Sequence, residues 1–300
     1  MSSLSVFDSR LADVAGVSVV PSTQLVGGEG EGLQVLVVEN PLGRAALTLQ
    51  GAHVLSFTPA GGRDLLWVSP LATYVPGKAV RGGIPLCMPW FGAHPEGFPS
   101  HGFARTALWT LDSAAALADG RTSVTLVLTD SEATLKVWPH PFRFVFTVIV
   151  GKALDVELVA EHKGNVSVKF AAALHSYFSV PDVAQIEVGG LDGCTRINTV
   201  GGANERTVQH GPVKIVDTHD SVYLDVPAEQ TISSSAGVTR VYSADTRTAV
   251  VWNPGDHSRD IGDVREHFSG FVCVERGDVF DNARELAPGQ QYRATMTISG

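Results

Sequence analysis

Leu154-Asp-Val-Glu-Leu158 alternates apolar and acidic residues without a break. Side chains on an extended strand point alternately to its two faces, so this stretch reads as a strand with one dry face and one wet face. The same vocabulary of Val, Leu, Thr and Phe recurs along the chain. It predicts strands over 34–38, 46–50, 54–58, 122–129, 142–150, 153–160 and 169–178. Further strands are expected over 213–216, 222–226, 231–234, 238–243, 249–252, 271–275 and 291–298. Turn-forming residues punctuate most gaps, as at Gly61-Gly62, Asp119-Gly120, Asn198 and Pro288-Gly289. Helical candidates are short and few, 7–14 and 260–268. More than ten strands with so little helix read as an all-β sandwich, not as alternating β-α units. No linker composition, repeat or low-complexity tract interrupts the chain. One domain over 1–300 is expected, with a short N-terminal extension over 1–20.

The 300 residues carry 22 Lys and Arg against 31 Asp and Glu, a net charge of −9, with no basic run. That speaks against nucleic acid and against an anionic membrane surface as partners. It leaves room for a small anion held by a few local arginines. With 44% hydrophobic residues the chain can bury a large core. Cys87, Cys194 and Cys273 are scattered and form no Cys-x-x-Cys pair. Neither a disulfide framework nor a zinc knuckle is expected, and a reducing compartment is the simpler reading. Charges fall in the first 16 residues where a signal peptide needs an apolar core. No apolar run of 18 residues occurs. The expectation is a soluble, cytoplasmic protein.

The segment 70–105 is too long for a plain connection, and such loops are commonly functional. It contains Arg81-Gly-Gly-Ile-Pro-Leu-Cys-Met-Pro-Trp-Phe-Gly92 and then His101-Gly-Phe-Ala-Arg105. Two guanidinium groups converging on one point make a phosphate or carboxylate clamp. Glycines after Arg81 would let backbone amides approach an anion. Two solvated loop arginines are the bland alternative. The acidic Gly27-Gly-Glu-Gly-Glu-Gly32 reads as a turn, since Glu29 and Glu31 argue against a phosphate loop there.

Leu174-His-Ser-Tyr-Phe178 closes the extended run begun by Phe170-Ala-Ala-Ala. Alternation puts Ala171, Ala173, His175 and Tyr177 on one face, with small alanines leaving room for a ligand. Equally, His175 reads as a core histidine bonded to a backbone carbonyl. In Phe271-Val-Cys-Val-Glu275, Phe271, Cys273 and Glu275 share a face. A carboxylate beside apolar strand residues tends toward a raised pKa, which suits proton transfer. The alternative is a strand-end carboxylate paired with Arg276. Arg276-Gly-Asp278 also spells an adhesion tripeptide, taken here as coincidence. His94 and His101 lack metal-ligand spacing, and no Gly-x-Ser-x-Gly elbow is present.

Seven pieces occur in order over residues 30 to 298. They are Arg81-Gly-Gly-Ile-Pro, Pro89-Trp-Phe-Gly, His101-Gly-Phe-Ala-Arg105, Leu174-His-Ser-Tyr-Phe178, Gly190-Leu-Asp-Gly193, Val251-Trp-Asn-Pro254 and Val272-Cys-Val-Glu275. Together they resemble the hexose-6-phosphate mutarotases, the glucose-6-phosphate 1-epimerase group of the aldose 1-epimerase superfamily. The resemblance implies a galactose-mutarotase-like β-sandwich (supersandwich) with no obligatory metal and no organic cofactor. It implies His175 and Glu275 as the catalytic pair, Arg81 and Arg105 as phosphate-binding arginines, and Asp192, His101 and Asn253 as substrate-binding residues. Members of the group can have glutamine before the His-Gly motif, where this chain has Ser100. A phosphosugar substrate and a monomer, not an obligate oligomer, are expected.

Opening a cyclic hemiacetal needs a base for the C1 hydroxyl proton and an acid for the ring oxygen, and Glu275 and His175 are suitable types. Trp90 and Trp252 read either as core packing or as stacking surfaces for the sugar. The other readings to be weighed are a mutarotase for neutral aldoses, a non-catalytic carbohydrate-binding or regulatory protein, and a sugar-cleaving enzyme needing a second carboxylate.

Overall fold

The structure is a computed structural model that describes residues 14–27 and 32–300. Its central feature is an antiparallel eight-stranded sheet. The strand order is Glu187–Gly189, Glu229–Ser234, Gly237–Tyr242, Gln291–Ser299, Leu154–His162, Phe142–Val150, Thr122–Thr129 and Thr110–Ala116. Along Phe142–Val150 and Leu154–His162, every second residue is buried. The inward Phe144, Phe146, Val148, Val156 and Leu158 pack with Met296 and Ile298. The outward residues are mixed: Val145, Ile149 and Val159 stand among polar ones, some of them paired, as in the bond from Arg293 Nε to Glu157 Oε1 at 2.6 Å.

A second sheet lies across this core. Its order is Glu205–Val208, Thr195–Asn198, His219–Leu224, Thr248–Asn253, Phe271–Asp278, Ala172–Leu174 and Leu86–Cys87, with Tyr177–Ser179 also paired to Phe271–Asp278. Tyr223, Val251, Val272, Val274, Leu174 and Phe178 from this sheet belong to the same apolar cluster as the first sheet's inward residues. Burying each such large side chain is worth about 1.5–3 kcal/mol. One face of the second sheet is therefore committed to the core, and its other face is left for a pocket. Four strands, Val17–Pro21, Gln34–Asn40, Gly43–Thr48 and His53–Pro59, form a further sheet.

Several expectations are corrected. The run 169–178 is three strands: Val168–Phe170 pairs with Arg284–Leu286, whereas Ala172–Leu174 and Tyr177–Ser179 both pair with Phe271–Asp278 and are separated where the His175 and Ser176 amides bond to Pro85 O and Leu174 O. The segment 213–216 is no strand: Val213 alone bridges Val188, and Val216 is 93% exposed. The helix expected over 260–268 is instead two 3-10 turns, Gly255–Asp260 and Arg265–Gly270. Gly262 lies between them, and Arg265 at φ 47° opens the second, so no continuous α-helical ladder forms. The helix Glu132–Val137 was not anticipated: Ser131 caps it reciprocally with Thr134, where a Glu or Gln would be the usual sequence signal. The N-terminal extension expected over 1–20 includes part of the Val17–Pro21 strand, which pairs with Gln34–Asn40. The helix expected over 7–14 lies outside the described residues except for Val14, as do Glu29 and Glu31 of the expected turn. Among the described residues, no helix is long and apolar enough to cross a membrane.

Candidate active site

The free face of the second sheet floors a cavity of about 540 Å³, a volume typical of small-molecule sites. Two ladder rows make this floor. Tyr177 pairs with Cys273, Cys273 with Trp252, and Trp252 with Asp220. In the next row, Glu275 pairs with Val250 and Val250 with Val222. Leu174 opposite Arg276 and Tyr177 opposite Cys273 belong to one antiparallel register. Carried across the break at 175–176, that register sets His175 opposite Glu275. The walls are loop residues: Arg81, Phe91, Gly92, Ala93, His101, Arg105, Thr199 and Phe280.

His175 Nε2 stands 3.3 Å from Glu275 Oε1, with side chains 11% and 2% exposed. His175 Nδ1 and Glu275 Oε2 are buried and have no hydrogen-bond partner among the described residues. Burial, reinforced by His101 and by the charges of Arg105 and Arg81, holds the His175 pKa well below 6.5. Burial, reinforced by Asp220 and opposed by Arg105, holds the Glu275 pKa well above 4.5. Both directions favour the uncharged forms, so the pair keeps one proton between two groups over a wide pH range.

The anticipated pairing of Glu275 with Arg276 does not occur, because adjacent residues on a strand face opposite ways. Arg276 is fully buried on the other side, where it donates to the carbonyls of Pro227, Ser243 and Thr246 and to Gln230 Oε1. Asp278 is equally buried, so the Arg-Gly-Asp sequence is not a surface motif.

Arg81 and Arg105 both line the cavity. Arg81 Nε donates to Asp263 Oδ1 at 3.1 Å, and Nη1 donates to the Tyr177 hydroxyl at 3.1 Å. Burial opposes its charge, but Tyr177 and Asp263 outweigh that and raise its pKa. Arg105 Nη2 donates to the carbonyl of Ser100 at 2.8 Å. Arg105 has no carboxylate partner among the described residues. Ser100 thus orients Arg105 through its backbone, which any residue type supplies. The glycines after Arg81 serve a different purpose from the one expected. A Cβ on Gly83 (φ 63°) would lie 2.1 Å from the Val54 carbonyl oxygen, and the Gly83 N–H already donates to Trp67 O at 2.7 Å. These glycines let two backbone segments pack closely, and the Gly83 amide is already committed to that packing.

His101 reaches the cavity from a left-handed backbone position, φ 65°. Its Nδ1 accepts from the Gly92 N–H at 3.3 Å, and its own N–H donates to Gly92 O at 2.9 Å. Burial, then Arg105 and Arg81, lower its pKa to about 4. The neutral ring therefore carries its proton on Nε2.

Two expected binding residues are elsewhere. Asp192 is exposed and does not line the cavity: its Oδ1 accepts from the Gly211 N–H at 2.6 Å, closing a surface turn. Asn253 is fully buried: its Nδ2 donates to Phe268 O and Phe271 O, both at 2.8 Å, and its Oδ1 accepts from the Gly255 N–H. It anchors the 255–270 segment that carries Asp263. The acid that does line the cavity is Asp220, with a pKa raised by burial against a hydrogen bond from Thr199. Its sequence context, Thr218-His-Asp-Ser221, is a run of polar residues that precedes the expected strand 222–226 and carries no motif to single it out. Trp252 lines the cavity, in T-shaped contact with His175. Trp90 does not: it donates from Nε1 to Pro99 O and packs with His94 and Phe103. Among the described residues, no group of three or more His, Cys, Asp or Glu side chains is arranged to hold a metal ion.

Comparison with known proteins places these features in context. Residues 34–299 match the family model described as aldose 1-epimerase. A protein of Escherichia coli with the provisional name glucose-6-phosphate 1-epimerase is 39% identical over 249 residues, 81% of this chain and 82% of that protein. A protein of Cenchrus ciliaris bearing the same provisional name is 32% identical over 273 residues, 85% of this chain and 80% of that one. The crystal structure of a provisionally assigned mutarotase, YeaD, from Salmonella typhimurium superimposes with a TM-score of 0.85 at 34% identity, covering 96% of this chain and 94% of that one. A galactose mutarotase related enzyme from Lactobacillus acidophilus shares the fold at a TM-score of 0.72 and 16% identity, covering 88% and 96%.

Proposed function

The chain belongs to the aldose 1-epimerase family, and from that premise we propose that it is an isomerase interconverting the α and β anomers of a hexose 6-phosphate, with glucose 6-phosphate as substrate. The observation that carries the reading is a histidine and a carboxylate 3.3 Å apart in one cavity with two arginines. Of these, Arg105 has no protein carboxylate to neutralise it among the described residues. A neutral sugar would give that cation no counter-charge, whereas a phosphate dianion does. Family membership also favours anomerisation over glycoside cleavage, although Asp220 supplies a second carboxylate in the cavity.

The chemistry needs one acid and one base and no redox group. With its proton on His175, the pair presents Glu275 as base and His175 as acid; the uncharged form favoured by burial is one proton shift away. Glu275 takes the proton from the C1 hydroxyl while His175 protonates the ring oxygen. The bond from C1 to the ring oxygen breaks and the C1 aldehyde forms. Rotation about C1–C2 presents the other carbonyl face to the C5 hydroxyl. Ring closure then returns one proton to His175 and takes the other from Glu275, leaving the pair as it began. Each positioned group is worth about 10²–10⁴-fold. Arg81 and Arg105 hold the phosphate, and His101 and Asp220 offer a donor and an acceptor to sugar hydroxyls.

Anomer exchange of glucose 6-phosphate and glucose, followed by NMR at equilibrium, tests the reading. Fast exchange of the phosphosugar alone is expected; exchange of neither above the buffer rate refutes it, and equal exchange of both moves the assignment to a neutral-sugar mutarotase.

A further inference from the structure

Phe280 is held where a large side chain is ordinarily disfavoured. Its φ is 54°, in the left-handed region that costs free energy for a bulky residue. Burial of the ring offsets this only in part, because Phe280 is 41% exposed. Its neighbours, in contrast, are fastened. Val279 is 1% exposed. Asp281 accepts a bidentate pair of bonds from Arg206 at 2.7 and 3.0 Å. Asn282 donates from Nδ2 to Arg247 O and to Thr248 Oγ1, both at 3.2 Å. The turn is thus clamped on both sides of a residue whose ring stays partly exposed.

That ring lines the mouth of the cavity beside Phe91, with ring centroids 6.4 Å apart. Phe91 meets His101 at 4.7 Å, and His101 meets His175 at 5.8 Å. A line of rings therefore runs from the reacting pair to the entrance. Arg81 is bonded to Tyr177, which stacks on His175 with centroids 4.9 Å apart. A pyranose over His175 and Glu275 would have cationic side chains to grip its phosphate and an aromatic pair at the mouth. Exposed aromatic edges and faces of this kind suit the C–H groups of a sugar ring.

We propose that Phe280, with Phe91, is a specificity-determining contact for the apolar face of the pyranose ring, and that the strained turn 279–282 exists to present it. The proposal rests on the hexose 6-phosphate reading of the site. It predicts that the substrate class is a pyranose with a continuous C–H face, and that Phe280 acts in binding and not in proton transfer.

The test compares wild type, Phe280→Ala, Phe280→Gly and Phe280→Tyr. Binding of glucose 6-phosphate is measured by calorimetry, exchange by NMR, and stability by thermal melting. Loss of one half-covered ring from the complex should raise Kd and KM about tenfold in the Ala and Gly variants, with kcat changed less than about twofold. Phe280→Tyr should keep wild-type values. Phe280→Gly should melt at or above the wild-type temperature, since glycine accepts the left-handed backbone freely. Unchanged Kd and KM in both truncations would overturn the proposal. So would weaker binding accompanied by a lower melting temperature in Phe280→Gly, which would make Phe280 a packing residue. If wild type neither binds nor exchanges glucose 6-phosphate, the reading of the site fails and this inference with it. Wild-type exchange with an indifferent Phe280 sinks this inference alone.

Discussion

His175 and Glu275 are cross-strand neighbours, set opposite each other by the register that joins Leu174 to Arg276 and Tyr177 to Cys273. Directly opposed residues of an antiparallel pair have Cβ atoms about 4.5–5.5 Å apart and lie on the same face. The 3.3 Å contact between Nε2 and Oε1 follows from that geometry. The proposed acid–base pair thus joins a ladder residue, Glu275, to a residue in the two-residue break between strands Ala172–Leu174 and Tyr177–Ser179, which share one register.

Removing either partner should leave the fold and end the reaction. His175→Ala and Glu275→Gln are each expected to slow anomer exchange by about 10²–10⁴-fold, with far-UV circular dichroism unchanged. Full exchange in either variant would remove that residue from the catalytic pair.

Glu275→Gln should also stabilise the protein in a pH-dependent way. Burial raises the Glu275 pKa above 4.5, so the unfolded chain ionises this group before the folded one does. Stability fully present below pH 4.5 is therefore lost as pH rises through the folded pKa. Glutamine does not titrate. The variant should gain on wild type as pH climbs from 4 to 8, read by urea unfolding. A constant difference between pH 4 and pH 8 would contradict the raised pKa.

The pH dependence of kcat should show a broad plateau. A second proton reaches His175 only well below pH 6.5, and the last proton leaves Glu275 only well above pH 4.5. The singly protonated pair lies between those two limits, so activity should fall on the acid side only well below pH 6.5. An acid limb centred at 6.5 or higher would show that His175 is not held in its neutral form.

The arginines should separate phosphosugar from free sugar. Arg105→Ala should raise KM for glucose 6-phosphate at least about tenfold, a charge-assisted bond's worth, while leaving residual exchange of glucose alone. Asp263→Asn keeps an acceptor for Arg81 Nε but removes a neutralising charge. Because that pair is part-exposed, the expected gain is small, a fall in KM for glucose 6-phosphate of about two- to fivefold. Equal changes on both sugars would refute the clamp.

Arg276 predicts a stability effect of a different kind. Arg276→Met would leave the carbonyls of Ser243 and Thr246 and the Oε1 of Gln230 without this donor, while the Pro227 carbonyl keeps its bond from Gln230 Nε2. A loss of about 3 kcal/mol in urea unfolding is expected. A neutral outcome would mean that the surrounding loops close over the apolar side chain.

Much of this was legible locally. The alternation in Leu154-Asp-Val-Glu-Leu158 determined a half-buried strand, and its residues alternate between buried and half-buried in that order. The same period of two put Glu275 on the face of Phe271 and Cys273, and His175 on that of Tyr177. Side-chain direction along a strand is a property of neighbouring residues, so a sequence carries it. Register between strands distant in the chain is not local. It depends on which segments the core brings together, and it alone set His175 against Glu275. It brought Asp220 into the cavity through Trp252 and Cys273. It left Asp192 at a surface turn and Asn253 inside the support of the 255–270 segment. The short motifs pointed to kinds of residue; long-range pairing, driven by burial of the opposite sheet face, decided which of them share a cavity.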